Sequence, residues 1–165
     1  MSTNYPPAIV KNGFTLIELM MVLAIFAILA SMALPSYYYR VVRDQITGIN
    51  PLVVVAETPV ATAWAVTQTF PADNSGAGLP AADLMVNYYV SAVQIQDGAI
   101  NVTFGNRATQ VLSGKILTFR PAVMTEAPIV PITWVCGNAA PPNKMTVKGV
   151  NQTNISPAYL PLNCK

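Results

Sequence analysis

At 165 residues and 17.6 kDa the chain has room for one ordinary domain, alone or with an extension. Apolar residues make up 53% and charged residues only 10%, against a charged share of roughly 25% in soluble domains; this excludes disorder and points to a segment that lives in lipid. Nine cations balance seven acids, with two cysteines and no histidine, so the common metal sites, His-based nucleophilic triads and CxxC redox pairs lack their parts, and neither metal nor cofactor is expected.

In chain order, a polar stretch of 13 residues comes first and carries Lys11. Phe14 to Leu34 follows, 21 residues with Glu18 as the sole charge and neither proline nor glycine. At ~1.5 Å per residue such a helix spans about 31 Å, one bilayer core. The small-residue junction Gly13 lies ahead of the apolar run, whereas a secretory signal is cut behind it. A carboxylate in hydrocarbon costs about 2.5–3.5 kcal/mol at mid-helix, so Glu18 needs a partner or a shallow position. Taken by itself it fits a simple preference of acids for a helix N-terminus equally well.

Lys11-Asn-Gly-Phe-Thr-Leu-Ile-Glu18, continuing to Ala33-Leu-Pro-Ser-Tyr37, resembles the N-terminal signature of type IV pilins, chiefly of the type IVa kind, and of type II secretion pseudopilins. The resemblance implies that a prepilin peptidase cuts between Gly13 and Phe14 on the cytoplasmic side and N-methylates Phe14. It also implies that Glu18 pairs with the Phe14 amine of a neighbouring subunit and sets the axial register of a filament. Two positions depart from the pattern: Asn12 displaces the basic residue from its place before the glycine to Lys11, and Ala27 stands where a glycine is often found.

Past Pro35 the apolar residues Val42, Ile46, Ile49, Val53, Ala56, Val60 and Ala63 recur at three and four, which predicts an amphipathic helix continuing the membrane one. Pro51 and Pro59 are expected to kink or interrupt it, and Phe70-Pro71 to close it. Residues 72–80 read as a surface loop. Tyr37-Tyr38-Tyr39 with Arg40 and Arg43 suits an interfacial aromatic belt with basic anchors more economically than nucleic-acid stacking.

If Asp97-Gly98 is a two-residue turn, Ile95 faces Ile100 and Val93 faces Val102, with Gln94, Gln96, Asn101 and Thr103 on the other face. That predicts strands near 88–96 and 99–104. Ile116 to Arg120 and Val130 to Val135 supply two more, the latter alternating as Val130, Ile132 and Trp134. In an extracytoplasmic head, Cys136 and Cys164 are most simply a disulfide, the alternative being two buried free thiols. Trp134-Val-Cys136 and Tyr159-Leu-Pro-Leu-Asn-Cys164 also resemble the C-terminal disulfide-bounded loop of type IVa pilins. The stretch between the cysteines reads as too polar for core. Asn101-Val-Thr103, Asn151-Gln-Thr153 and Asn154-Ile-Ser156 match the glycosylation triplet, a weak pattern, and read as Asn/Thr-rich surface.

The expected fold is therefore α+β: a long N-terminal helix, membrane half plus amphipathic half, on a four-stranded antiparallel sheet with a disulfide-closed C-terminal loop. The segments are a leader over 1–13, a membrane and filament-core helix over 14–34, its amphipathic continuation over 35–70 and a head over 71–165. The resemblance implies a non-enzymatic subunit of surface filaments used for adhesion, twitching motility or DNA uptake, made as a bacterial inner-membrane precursor. Its partners would be copies of itself, the prepilin peptidase and the assembly machinery. A secretion pseudopilin, a minor or competence pilin and a membrane-anchored enzyme are the alternatives. Pseudopilins typically lack the cysteine loop, and the acids Asp73, Asp83, Asp97 and Glu126 sit in no catalytic motif. Residues 36–99 hold two cations against five acids, net −3, and residues 100–165 hold six against one, net +5. Lys144 and Lys148 in the basic portion are candidates for contact with a neighbouring subunit or, less favoured, with DNA.

Overall fold

The computed structural model describes residues 13–165, so Lys11 and Asn12 of the motif lie outside the described residues. The chain divides into two compact units after Tyr38, a few residues beyond the expected end of the membrane helix at Leu34. The first contains most of α1 (Leu16–Thr47), with Phe14, Leu16, Ile17 and the apolar residues that follow left exposed. By length and composition this helix can cross a membrane.

The second unit is an α+β head. From Val42 the apolar stripe turns inward, and Val42, Ile46, Ile49, Val53, Ala56 and Val60 are all buried, as the periodicity predicts; Ala63 is only partly so. The helix breaks at Gly48 and Ile49 and resumes as α2 (Asn50–Thr67). The cause is Pro51: it falls in the first turn of α2, where its missing N–H would have had no partner in any case. Pro59 sits inside α2 without ending it. The bond it removes would run to Val55, an exposed residue, so the carbonyl is not stranded in the core. The helix closes earlier than Phe70-Pro71, at Gln68 in the left-handed conformation (φ 57°), whose N–H bonds Trp64 O. Phe70 then folds back to stack on Trp64, ring centroids 4.7 Å apart.

Against the helices lies an antiparallel sheet, β1 (Val90–Gln96), β2 (Ala99–Phe104), β3 (Ile116–Val123) and β4 (Thr133–Cys136), in that order. The hairpin register is the predicted one: Val93 pairs with Val102 and Ile95 with Ile100 across the Asp97-Gly98 turn, both turn residues at positive φ. The turn is fixed by bonds from Asp97 N to Ala72 O (3.2 Å) and from Gly98 N to Pro71 O (3.0 Å). A Cβ on Gly98 would lie 2.6 Å from the Phe70 ring.

Three expectations need correction. A fifth strand, β5 (Thr146–Val147), pairs with Ala122 and Val123. It is too short to leave a pattern, and it takes the flank of β3 that β2 vacates past Phe119. This explains why a strand can hold Pro121: its missing donor falls between the start of β2 at Ala99 and the end of β5 at Val147, and its carbonyl accepts from Lys148 N at 2.9 Å. Val130 and Ile132 precede β4 and do not alternate within it; the strand contributes Trp134 and Cys136 to the core. Finally, the 72–80 loop is not all surface. Asn74 is buried and imitates a strand along the β1 edge, accepting from Ile95 N (2.7 Å) and donating to Val93 O (2.9 Å) and Pro80 O (3.0 Å).

The bonds to Ile95 N and Val93 O satisfy β1 edge groups that would otherwise be buried unpaired. Asn74→Ala is expected to lower head stability by about 2–3 kcal/mol, read as a shifted denaturation midpoint. Hydrogen exchange should rise first at Ile95; an unchanged midpoint would count against this role.

Candidate assembly and processing site

The N-terminal site is built by helix initiation. Thr15 stands just ahead of α1, its hydroxyl accepts from Glu18 N at 3.3 Å and its carbonyl accepts from Leu19 N at 3.2 Å. Thr15-Leu-Ile-Glu18 thus has the spacing of a capping box, with the acid three residues into the helix where the positive end of the macrodipole favours it. The backbone donor is capped by Thr15, so helix initiation does not consume the Glu18 carboxylate. Glu18 and Phe14 are both exposed, and Gly13 precedes them with no neighbour near its α-carbon. The Thr-x-x-Glu spacing of the motif is the signal for this Thr15 cap.

The second predicted feature is present: Cys136 and Cys164 form a disulfide with Cα atoms 4.5 Å apart. Cys136 ends β4 opposite Phe119. Gly137, at φ 58°, lets the chain turn beneath Cys164, whose carbonyl would lie 2.5 Å from any Cβ at that position. Gly137 N bonds Thr118 O (2.8 Å) and Asn138 N bonds Cys164 O (3.0 Å).

The loop enclosed is less polar in effect than in composition. Ile155 and Leu160 enter the core. Asn154 pairs with Ile116 through both its backbone N–H (3.1 Å) and its side-chain oxygen (2.7 Å), and Thr153 Oγ1 accepts from Thr118 N. Asn101, read as surface, is buried on that face of the sheet and accepts from Thr118 Oγ1 at 2.8 Å. Tyr39 and Arg43 also serve this segment as well as any lipid interface: Tyr39 packs on Tyr159 at 5.3 Å, and the Arg43 guanidinium donates to Ala158 O at 3.3 Å.

Lys144 and Lys148 are exposed but form no dense patch. Lys144 borders a shallow cleft together with Glu126, and the Lys148 backbone extends the sheet at Pro121. Burial pushes the Glu57 carboxyl on α2 above its ordinary 4.5. The folded head then holds this proton more tightly than the unfolded chain, so it gives up a little stability as pH rises from 4.5 through the raised value.

An exposed apolar helix opened by a capped Thr-x-x-Glu, and long enough to cross a membrane, is joined to a helix-on-sheet head with a cysteine-closed tail. Comparison with known proteins gives the class. Residues 51–165 match the family model for pilin, a bacterial filament protein, and residues 10–34 match the prokaryotic N-terminal methylation motif. The chain belongs to the pilin family. It is 28% identical to the type IV major pilin protein PilE of Neisseria gonorrhoeae over 161 residues, 94% of each chain. It is 30% identical to fimbrial protein EcpC of Eikenella corrodens, covering 94% of this chain and 92% of the relative. Fimbrial protein Q of Moraxella bovis is 31% identical over 148 residues, 79% of this chain and 90% of that one.

Proposed function

We propose that this chain is the structural subunit of a type IV pilus, made as a membrane-anchored precursor and polymerised through its N-terminal helix into a cell-surface filament. The observation that carries the reading is one stretch in which a methylation motif, an uncovered apolar helix and a lone acid coincide. A helix of this length, apolar all round, has two favourable surroundings: lipid before assembly and the same helix of other copies after it.

A prepilin peptidase cleaves between Gly13 and Phe14 on the cytoplasmic side and methylates Phe14. The amine so created lies four residues before Glu18, just ahead of the Thr15 cap of α1. In the filament Glu18 pairs with the Phe14 amine of the adjacent copy. Any other register leaves a carboxylate unpaired in hydrocarbon, so the pair selects the axial step. The heads tile the surface and serve adhesion, twitching motility or DNA uptake through the assembly machinery, without a catalytic step. The cysteine-bounded tail and the fimbrial relatives favour a pilus over a secretion pseudopilin.

Processing is tested by intact mass and N-terminal peptide mapping of protein sheared from cells. The mature chain should begin at a methylated Phe14 and lack Lys11, leaving eight cations against seven acids, net +1. A surface protein that still begins at Met1, in cells with active peptidase, would overturn the reading.

A further inference from the structure

Helix α2 is apolar on both of its sides. Its inner stripe, Val53, Ala56 and Val60, is buried in the core of the head. At ~100° per residue, the opposite face carries Val54, Thr58, Thr62 and Ala65 along its centre and Val55 and Val66 along one edge. Val54, Val55 and Val66 are 55%, 53% and 77% exposed. The sole charge of α2, Glu57, lies off this face: it is half-buried, one turn before Ala61 and two before Trp64, on the flank of the core stripe.

The threonines do not make the outer face hydrophilic. Thr58 Oγ1 donates to Val54 O (3.0 Å) and Thr62 Oγ1 to Thr58 O (2.9 Å). Each hydroxyl proton is thus spent one turn back along the helix, and the methyl group is what remains to meet a partner. The Val55 carbonyl, to which Pro59 cannot donate, belongs to the edge of the face and not to its centre. Small side chains at the centre, Thr58, Thr62 and Ala65, allow a second helix to approach closely. A helix that faces water carries polar side chains on its outer side, whereas one that is apolar all round is buried in its working state.

Chain order excludes lipid as the cover. Arg40, Arg43 and Asp44 are exposed between the membrane run and α2, and bringing α2 into hydrocarbon would take these charges in with it. The surface that matches is the apolar run itself, whose large side chains from Phe14 to Met32 are all exposed. In the filament reading this run leaves lipid when the subunit assembles, so each of its sides has to be enclosed by other copies. Residues 39–47 of the head would present Arg40, Arg43 and Asp44 to it, whereas α2 presents a face without charge.

We infer that the Val54–Val66 face of α2 packs on the apolar Phe14–Leu34 helix of a second copy, so that the filament core extends from the bundled N-terminal helices into the heads. The two surfaces are unlike, which makes the contact heterologous, and a heterologous contact that does not close repeats from copy to copy along a filament. The inference rests on the filament reading above and adds to it the head's side of the contact.

The test uses the full-length chain in cells. Thr58→Lys and Thr62→Lys each set a charge at the centre of the face, at exposed helix positions that accept lysine readily. Each should leave disulfide-bonded, protease-resistant precursor in the membrane and lower the yield of sheared filaments roughly tenfold or more. Thr58→Val/Thr62→Val protein, which keeps the shape and loses only hydroxyls already spent within the helix, should assemble like the unaltered chain. Normal yield from both lysine variants would overturn the contact, as would equal losses from the valine and lysine variants. Should the lysine variants fail to accumulate as folded precursor, photocrosslinking decides. A diazirine-bearing leucine analogue in place of Val66, activated in assembled filaments, should give a dimer whose linked peptide maps to residues 14–34 of the second copy; adducts to lipid or to heads alone, or no adduct, would overturn it. If the unaltered chain forms no filaments, the filament reading itself fails; normal filaments from the lysine variants defeat this inference alone.

Discussion

Cells making only Glu18→Ala protein are expected to lose surface filaments while keeping the precursor in the membrane and the head folded. The substitution leaves the start of α1 intact, because the Glu18 N–H is capped by the Thr15 hydroxyl and not by its own carboxylate. It makes insertion easier, since it removes the single charge of the apolar run. What it removes is the partner proposed above for the Phe14 amine. Truncating one side of a desolvated ion pair costs about 2–5 kcal/mol, which weakens each subunit junction by roughly thirtyfold or more.

Two companion variants separate charge from shape. Glu18→Gln keeps the size and loses the charge, and should fail like alanine. Glu18→Asp keeps the charge one methylene shorter, and should retain part of the yield. The measurement is filament protein recovered by shearing, set against precursor in the membrane fraction. Full yield from Glu18→Gln would show that the carboxylate charge does not set the register.

The parts of this fold that were legible in the sequence are those fixed by periodicity over several residues. The stripe from Val42 to Val60 and the Val93/Val102 and Ile95/Ile100 pairs are of that kind, because a one-residue slip would turn every apolar side chain to the wrong face. The disulfide was legible by compartment and count. Features held by single polar side chains were not. Asn74 looks like loop in any window of sequence, and only the arrival of the β1 edge beside it turns its amide into a strand mimic. Asn101 and Thr118 become buried because the 151–154 segment crosses their face of the sheet, a tertiary event with no local trace. Charge summed along the chain likewise divides it at residue 100, whereas in space β1 and β2 lie side by side, so the two portions of sequence are not two separate surfaces.

Breaking the cysteine tie is expected to produce the largest loss of head stability. Removing the bridge between Cys136 and Cys164, 28 residues apart, costs about 3.6 kcal/mol in the loop-entropy model. Among small domains with marginal stability, that is a large share of the total. The enclosed segment should not loosen uniformly. Residues 151–160 keep ties of their own: Ile155 and Leu160 in the core, Asn154 on Ile116, Thr153 on Thr118, and Ala158 and Tyr159 on Arg43 and Tyr39. Residues 137–145 and 161–165 have fewer, so a Cys136→Ser/Cys164→Ser head should open there first, at a lower denaturation midpoint than the parent. Hydrogen exchange and limited proteolysis read both quantities. Gly137→Ala offers an independent check with both thiols present. Its methyl would meet the Cys164 carbonyl at 2.5 Å in a conformation that already disfavours any side chain, so the closure must shift and part of the same loss should appear. Unchanged midpoints in both variants would mean that the core contacts of Ile155 and Leu160, and not the covalent link, hold this tail in place.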